Sequence, residues 1–222
     1  MTNTIESRAV VTLLARLFAE AEASNAKVRE LFGHLTPEER AQRMSDPNSD
    51  YRGFYRRASE LYLAVSPETA RLLYMLTRST GAKAIIEFGT SFGVSTIHLA
   101  AGLRDNGGGI VIGTELEATK AEQARSNLQA AGLHDLVDVR VGDALETLAR
   151  DLPETIDLVL LDGHKALYAR VLDLLASRLR AGACLVADNA DACPDYLKRV
   201  RAPGSGFLSV PFGDDVELTI KL

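Results

Sequence analysis

Long apolar runs are absent from this sequence, and cysteines are few. No segment reaches the roughly 20 apolar residues that a membrane-spanning helix needs, so we expect no membrane association. Only two cysteines are present, Cys184 and Cys193, and their spacing is not that of a metal site. Because Cys184 lies inside an apolar run, we predict a buried free thiol rather than a disulfide, which suits a cytoplasmic protein.

A cluster of basic residues is also missing. The chain carries 25 lysine and arginine residues against 30 aspartate and glutamate residues, which gives a net charge of −5. Sequence-independent binding of nucleic acid depends on concentrated positive charge, so a nucleic-acid partner is disfavoured. The sequence shows no internal repeat, and charged residues interrupt its N-terminus as in an amphipathic helix, unlike a signal peptide.

The sequence divides into two parts. Residues 1–60 are predicted to form a helical extension, because apolar residues recur there at helical spacing. Near the start of the second part, residues 61–222, stands "SPETARLLYMLTRSTG" (66–81), in which Ser66 is a suitable N-cap and Pro67 suits the first helical position. Gly81 is a typical helix stop.

From residue 82 onwards, short apolar runs alternate with helical segments. The runs are "AIIEFG" (84–89), "GIVIGTE" (109–115), "VDVRVGD" (137–143), "IDLVLLD" (156–162) and "ACLVADN" (183–189). Such alternation predicts βαβ units and a parallel sheet with helices on both faces. The final runs, "FLSVPF" and "VELTIKL", are separated only by "GDD", so they should pair as an antiparallel hairpin. The predicted fold is therefore α/β, with a mostly parallel seven-stranded sheet, a C-terminal antiparallel hairpin and N-terminal helices.

The carboxyl ends of the first three strands carry candidates for a ligand site, because ligands of open parallel sheets bind there. In "EFGTSFGVS", Gly89 and Gly93 would let a ligand approach the backbone, while the serine between them breaks the G-x-G-x-x-G fingerprint. The second strand ends at Glu115, and an acid there can accept both hydroxyls of a ribose. After the third strand, Asp143 is expected to cap the next helix and to leave the amide of Ala144 for a base.

The fourth and fifth strands end in oxygen-bearing side chains. Asp162 closes the fourth run, and Asp188 and Asn189 close the fifth. Three such ligands at two strand ends suit a hard divalent cation such as Mg²⁺ or Mn²⁺. Lys165 would face the same crevice, where it could act as a general base. The alternatives are a surface salt bridge between Asp162 and Lys165 and a plain turn at Asp188 and Asn189.

These segments resemble the cation-dependent, S-adenosylmethionine-dependent O-methyltransferases of the catechol and caffeoyl-coenzyme A type. The resemblance covers roughly residues 60–222 and rests on "LAVSPETARLL", "IIEFGTSFGVSTIHLA", "VIGTELEAT", "VRVGDALETL", "IDLVLLDGHKALY", "CLVADN" and "VPFGDDVELTIKL", in that order. It implies a Rossmann-like class I methyltransferase domain over residues 61–222. It also implies S-adenosylmethionine as methyl donor, Mg²⁺ or another divalent cation, and a small aromatic acceptor with two neighbouring hydroxyls.

The resemblance further implies roles for individual residues. The methyl donor would be bound by Val65, Glu87, Gly89, Thr90, Ser95, Glu115, Ala144 and Asp162. The cation would be held by Asp162, Asp188 and Asn189, and Lys165 would take the proton from the acceptor hydroxyl. Residues 1–60 carry none of the motifs on which the resemblance rests, and they would cap the site or form the surface of a homodimer.

The sequence departs from the family pattern at two places. His164 stands where plant-type members often carry an acid, and the segment after Asn189 lacks the tryptophan common in bacterial relatives.

Three other functions stay open. A tRNA methyltransferase of the same family is disfavoured by the negative net charge, and a nicotinamide-dependent oxidoreductase by the glycine pattern and the terminal hairpin. A non-catalytic nucleotide-binding module would not need the acids at the fourth and fifth strand ends.

Overall fold

The computed structural model describes residues 3–33, 35–36, 39, 42, 44–46, 48–213 and 215–222. A seven-stranded sheet forms its centre. The strands are β1 (Ala84–Phe88), β2 (Ile110–Glu115), β3 (Val137–Val141), β4 (Ile156–Leu161), β5 (Leu179–Ala187), β6 (Phe207–Phe212) and β7 (Val216–Lys221).

The sheet is parallel except at one edge. The strand order is β3-β2-β1-β4-β5-β7-β6, and only β7 runs antiparallel to its neighbours β5 and β6. The predicted seven-stranded, mostly parallel sheet with a C-terminal antiparallel hairpin is confirmed. Strand β5 begins at Leu179, whereas the apolar run predicts a start at Ala183. The sequence does not indicate this extension, because residues 180–182 are half-buried or exposed, lie beside a register shift and show no apolar pattern.

Helices cover both faces of the sheet and form the N-terminal part of the chain. The α-helices among the described residues are α1 (Arg8–Phe32), α2 (Tyr51–Arg57), α3 (Pro67–Ser79), α4 (Val94–Asp105), α5 (Ala118–Ala130), α6 (Ala144–Thr147), α7 (Tyr168–Leu175) and α8 (Pro194–Arg201). Helix α3 begins as predicted, since Ser66 Oγ accepts the amide of Thr69 at 3.0 Å and Pro67 lies in the first turn. None of these helices is long and apolar enough to cross a membrane.

Two apolar clusters fill the two sides of the sheet. Successive residues of a strand point to opposite sides, so Ile85 belongs to one cluster and Ile86 to the other. The first cluster includes fully buried Val10 and Leu17 of α1. The first helix therefore packs into the same core as the sheet. Both cysteines are buried free thiols, which confirms the prediction for Cys184.

One backbone contact brings the ends of β1 and β4 together. Gly89 follows β1 with a φ of 100°, and a Cβ at this position would lie 2.4 Å from the carbonyl oxygen of Asp162. Only glycine permits so close an approach. The amide of Asp162 also donates to the carbonyl of Phe88 at 2.8 Å. The two strand ends therefore form one side of a shared crevice.

Candidate functional site

A cavity of about 500 Å³ opens at the carboxyl ends of the parallel strands. This position and size are typical of a site for small molecules. Its wall includes residues of α2, of five strand ends and of the hairpin turn, among them Tyr51, Tyr55, Gly89, Ser91, Glu115, Ala144, Asp162, Lys165, Asn189 and Asp215. A narrow pocket adjoins it, and its wall includes Val65, Thr90 and Ser95.

Glu87 points from β1 into the interior and is fully buried. Three hydroxyl groups donate to its carboxylate, those of Thr90 at 2.8 Å, Ser95 at 2.6 Å and Thr96 at 2.6 Å. Burial raises the pKa of Glu87, and the three hydroxyls oppose that effect. The carboxylate therefore holds the loop after β1 against α4, and it contributes to neither cavity wall.

Glu115 ends β2 and lines the large cavity. Its Oε2 accepts the amide of Ser91 at 2.7 Å, and its Oε1 accepts the amide of Glu117 at 2.9 Å. Burial raises the pKa of this carboxyl group. Because each carboxylate oxygen can accept a second hydrogen bond, Glu115 can bind two further donors, such as a pair of hydroxyls.

Asp143 caps α6 as predicted, and it also holds α2. Its Oδ1 accepts the amide of Leu145 at 2.9 Å. Its Oδ2 accepts the hydroxyl of Tyr51 at 2.5 Å and the guanidinium of Arg52 at 2.7 Å. We call Tyr51, Arg52 and Asp143 the clasp. It fastens α2 beside Ala144, which lines the cavity.

Two buried carboxyl groups lie together after β4 and β5. Burial and the charge of Asp188 raise the pKa of Asp162 well above its ordinary range. Burial also raises the pKa of Asp188. Beside them Asn189 adopts a left-handed backbone with a φ of 49°, and its Nδ2 donates to Asp215 Oδ2 at 2.9 Å. That bond leaves the amide oxygen of Asn189 for a ligand.

This set of oxygen atoms fits a divalent cation in charge and chemistry. The two aspartates can carry two negative charges, while Lys165, 3.4 Å from Asp162 Oδ1, supplies one positive charge. Excess charge is costly when buried, and a cation would compensate it. No group of three or more His, Cys, Asp or Glu side chains forms a metal cluster in the part of the chain that the structure describes. Such a site therefore depends on the amide of Asn189.

Lys165 is buried in the 3₁₀ turn that follows β4. Besides Asp162, its Nζ contacts the hydroxyl of Tyr168 at 2.7 Å and the carbonyl oxygen of Asp188 at 3.1 Å. Tyr168 donates to the same carbonyl at 2.9 Å. The alternative of a surface salt bridge between Asp162 and Lys165 is therefore wrong, because the lysine is enclosed beside the acid pair.

His164 faces α2 rather than the acid pair. Its Nε2 lies 3.1 Å from the hydroxyl of Ser49, and its ring stacks on Tyr51 with centroids 4.9 Å apart. Burial lowers the pKa of this imidazole. The position that departs from the family pattern thus serves as a contact for the N-terminal part of the chain.

The structure brings most of the predicted residues to one place. The large cavity is lined by Gly89, Glu115, Ala144, Asp162, Lys165 and Asn189, and the narrow pocket by Val65, Gly89, Thr90, Ser95 and Asp162. Glu87 lies behind the first loop, and Asp188 lies beside Asp162 without lining either cavity wall. The roles assigned to these residues stay predictions.

Three further residues of the cavity wall were not indicated by the sequence. Tyr55 reaches the cavity from α2, and burial together with the charges of Asp162 and Glu115 raises the pKa of its phenol. Lys120 of α5 is buried near Glu115, and burial lowers its pKa. Asp215 belongs to "GDD", which reads as an ordinary turn. Their approach to the cavity depends on tertiary packing.

Comparison with known proteins gives a consistent result. Residues 86–190 match the model of a family described as "Methyltransferase domain". A protein named catechol O-methyltransferase, from Mycobacterium tuberculosis (strain ATCC 25618 / H37Rv), is 38% identical over 127 residues. The match covers 57% of this chain and 57% of that protein, so it spans a little more than half the length of this curated relative.

Two solved structures extend the similarity to most of the chain. Cofactor-bound Rv0187 from MTB is 28% identical with a TM-score of 0.66, over 89% of this chain and 95% of that one. The O-methyltransferase TomG from Streptomyces achromogenes, in complex with SAM, is 25% identical with a TM-score of 0.66, over 88% of this chain and 94% of that one. The resemblance indicated by the motifs and the Rossmann-like class I methyltransferase fold that it implies are confirmed.

Proposed function

We propose that this chain, whose residues 86–190 match the model of a methyltransferase domain, is a metal-dependent O-methyltransferase. It would move the methyl group of S-adenosylmethionine to a hydroxyl of a small, catechol-like acceptor. One juxtaposition carries the proposal: Asp162, Lys165 and Glu115 line the same cavity. The first two suit activation of a hydroxyl, and the third suits a donor that contains a ribose. The names of the M. tuberculosis relative and of the SAM-bound structure support the same chemistry.

The donor would lie along the ends of β1, β2 and β3. Glu115 would accept the two ribose hydroxyls with the acceptor capacity that its amide contacts leave. Ala144 would offer its backbone amide and a small surface to the base. Gly89 lets the donor approach the backbone after β1, and the amino-acid end would extend towards Val65 and Ser95.

Asp162, Asp188 and Asn189 would hold a divalent cation. The buried acid pair of Asp162 and Asp188 supports this assignment. Burial and repulsion between the two carboxyl groups disfavour two negative charges when no cation is present. When bound, Mg²⁺ or a similar cation would lower the pKa of an acceptor hydroxyl that coordinates it. Asp215 would keep the amide of Asn189 oriented through its hydrogen bond to Nδ2.

Lys165 would take the proton of the acceptor hydroxyl at its Nζ. Tyr168 and the carbonyl of Asp188 fix that nitrogen beside Asp162, where the hydroxyl would arrive. The tyrosine oxygen accepts from Nζ while its own proton goes to the carbonyl of Asp188. An ammonium group and a free amine can both donate to that oxygen, so Tyr168 can hold the side chain in both states. The acceptor oxygen then attacks the methyl carbon in line with the sulfonium, and orientation by the cavity wall supplies much of the rate.

The N-terminal part of the chain, residues 1–60, would cap this site. The clasp and the contact of His164 with Tyr51 support that role, because both fasten α2 over the cavity. The aromatic rings of Tyr51 and Tyr55 suit the flat face of an aromatic acceptor. Assembly as a homodimer and a cytoplasmic location also stay predictions from the sequence.

A methyl-transfer assay on the purified protein tests the proposal. A catechol, a monophenol of similar size and tRNA would each be offered with S-adenosylmethionine, once with Mg²⁺ and once with excess chelator. We expect turnover of the catechol only, and only with Mg²⁺. Full activity in chelator would contradict the metal role. Turnover of tRNA without turnover of the catechol would favour the tRNA methyltransferase instead.

A further inference from the structure

Ser91 has surroundings that the proposed function leaves unexplained. Its backbone is left-handed, with a φ of 47°, although it is not a glycine. Its hydroxyl oxygen is buried and has no hydrogen-bond partner among the residues that the structure describes. Buried hydroxyls without a partner are uncommon, and strained backbone of this kind clusters at ligand sites. Both observations point to a partner that is not part of the chain.

Ser91 stands at the neck between the two cavities. Four residues line both of them, namely Leu63, Gly89, Ser91 and Asp162. The neck is fixed on one side by the close backbone approach of Gly89 to Asp162. On the other side, the amide of Ser91 is held by Glu115 at 2.7 Å. A ligand that occupies both cavities must pass Ser91. A small rotation of its side chain would bring the buried hydroxyl oxygen to that ligand.

The position of the neck selects one part of the methyl donor. In the proposed function the ribose lies on Glu115 in the large cavity, and the amino-acid end points into the narrow pocket. The sulfonium sulfur joins these two parts, so it falls at the neck. The narrow pocket, about 10 Å³, has room for about one water. The donor must therefore widen it, for example by moving Tyr62 from its stack on Phe92.

We propose that the Ser91 hydroxyl contacts the sulfonium group of the donor and presents an oxygen lone pair to its positive charge. This inference rests on the proposed function. The product of methyl transfer, S-adenosylhomocysteine, has a neutral thioether at the same place. The oxygen lone pair of Ser91 therefore adds little to the affinity for the product. Ser91 thereby lets the site discriminate between the charged donor and the neutral product.

Calorimetric titration of the metal-free protein with S-adenosylmethionine and with S-adenosylhomocysteine tests the inference. In Ser91→Ala, we expect the donor to bind about 3- to 10-fold more weakly, the scale of one lost hydrogen bond. The affinity for S-adenosylhomocysteine should stay within about twofold, since the lost contact involves only the charge. Equal weakening of both ligands would overturn the inference, because the hydroxyl would then contact a part that both ligands share.

Two glycine variants separate this role from backbone strain. Ser91→Gly removes the hydroxyl and also relieves the left-handed backbone, so it should melt about 2–4 °C higher and still lose the preference for the charged donor. Asp151→Gly relieves similar strain at a φ of 52°, at an exposed position outside both cavities, and should keep the preference. A Ser91→Gly protein with an unchanged preference would overturn the inference. If the wild-type protein binds neither ligand, the proposed function fails, and this inference fails with it.

Discussion

Two buried carboxyl groups at the ends of the neighbouring strands β1 and β4 have opposite surroundings. Glu87 accepts hydrogen bonds from three hydroxyl groups. Asp162 lies beside a second carboxyl group, that of Asp188, and one ammonium group 3.4 Å away. Burial raises the pKa of both, but hydroxyls oppose the shift at Glu87 while a negative charge adds to it at Asp162. A polar group satisfied within the chain serves the fold, whereas an unsatisfied one is available to a ligand.

The same difference separates two sides of the cavity. We call the side of Glu115, where the methyl donor would bind, the donor side, and the side of Asp162 and Lys165, where the methyl acceptor would bind, the acceptor side. On the donor side, Glu115 and Glu87 are held by backbone amides and hydroxyls of the loops around them. On the acceptor side, Tyr168 and the carbonyl of Asp188 hold Lys165, and the carboxyl group of Asp162 has only the more distant Lys165 Nζ beside it. We therefore expect substitutions on the acceptor side to change the reaction rate, and those on the donor side to change donor affinity or stability.

The largest effect is expected for Lys165→Met, which keeps the aliphatic stem and removes the base. We expect kcat for a catechol to fall roughly 10²–10⁴-fold, the usual contribution of general acid–base catalysis. Donor affinity should change little. Raising the pH should recover part of the loss, because an unperturbed phenol ionises near a pKa of about 10. Steady-state kinetics between pH 7 and 9 provide the measurement.

Lys120→Met is the matched control for that experiment. Lys120 is also a buried lysine of the cavity wall, but it donates to the carbonyl of Leu61 at 2.8 Å and lies near Glu115. Its kcat should stay within about tenfold of the wild-type value. A wild-type rate for Lys165→Met near pH 7 would show that Lys165 is not the base, and His164 would then be tested.

The next effect concerns the donor side. Glu115→Ala should weaken binding of S-adenosylmethionine by about 1.5–3 kcal/mol, the scale of hydrogen bonds to a charged group. Calorimetry measures this change directly. Glu117→Ala removes a neighbouring acid that contacts Glu115 through its amide only, so it should leave the affinity almost unchanged. Unchanged donor affinity in Glu115→Ala would show that the ribose does not bind this residue.

A pair of isosteric substitutions compares the two carboxyl groups themselves. In Glu87→Gln, one oxygen acceptor becomes a donor that faces hydroxyl groups, so we expect a loss of about 1–3 kcal/mol in the free energy of unfolding. In Asp162→Asn, repulsion from Asp188 disappears, so the metal-free protein should be as stable as the wild type or more stable. Urea unfolding at pH 7 with chelator measures both. Equal losses at the two positions would contradict the comparison.

The sequence predicts the sheet well because local patterns specify it. Alternating apolar runs and helical segments define the βαβ order, and the short "GDD" connection requires an antiparallel hairpin. The acids at the strand ends could be located for the same reason, since parallel strands place their carboxyl ends at one edge of the sheet. The sequence also identifies Ser66 and Asp143 as caps, because capping acts over three residues or fewer.

The contacts of α2 could not be predicted in this way. The helix has the sequence "YRGFYRR", which is too short to show the apolar periodicity of a packed face, and its residues are half-buried or exposed. Tyr51 meets Asp143 across 92 positions of the sequence, and Ser49 meets His164 across 115. Which side chains meet at such distances is decided by tertiary packing. For the same reason, the sequence identifies Lys165 as a candidate base but not its contact with the carbonyl of Asp188.

The smallest predicted effect belongs to the clasp, in which a carboxylate meets partners from another part of the chain. Burial alone would raise the pKa of Asp143, but hydrogen bonds from Tyr51 and Arg52 outweigh it and hold the pKa below its ordinary value. A carboxyl group whose pKa is lowered in the folded state stabilises the protein at any pH above its unfolded pKa of about 3.9. This stability is lost as the pH falls through the folded pKa.

Asp143→Asn keeps an oxygen for the cap of α6 and removes the charge. We expect a loss of about 0.5–1.5 kcal/mol in the free energy of unfolding at pH 7, at the lower end because Arg52 is 58% exposed. In urea unfolding, the difference from the wild type should shrink below a pH of about 4, while Asp138→Asn, at an exposed ion pair with Arg140, should cost less than about 0.5 kcal/mol at any pH. A loss for Asp143→Asn that is the same at pH 3 and pH 7 would assign the effect to the cap and not to the charged contact with α2.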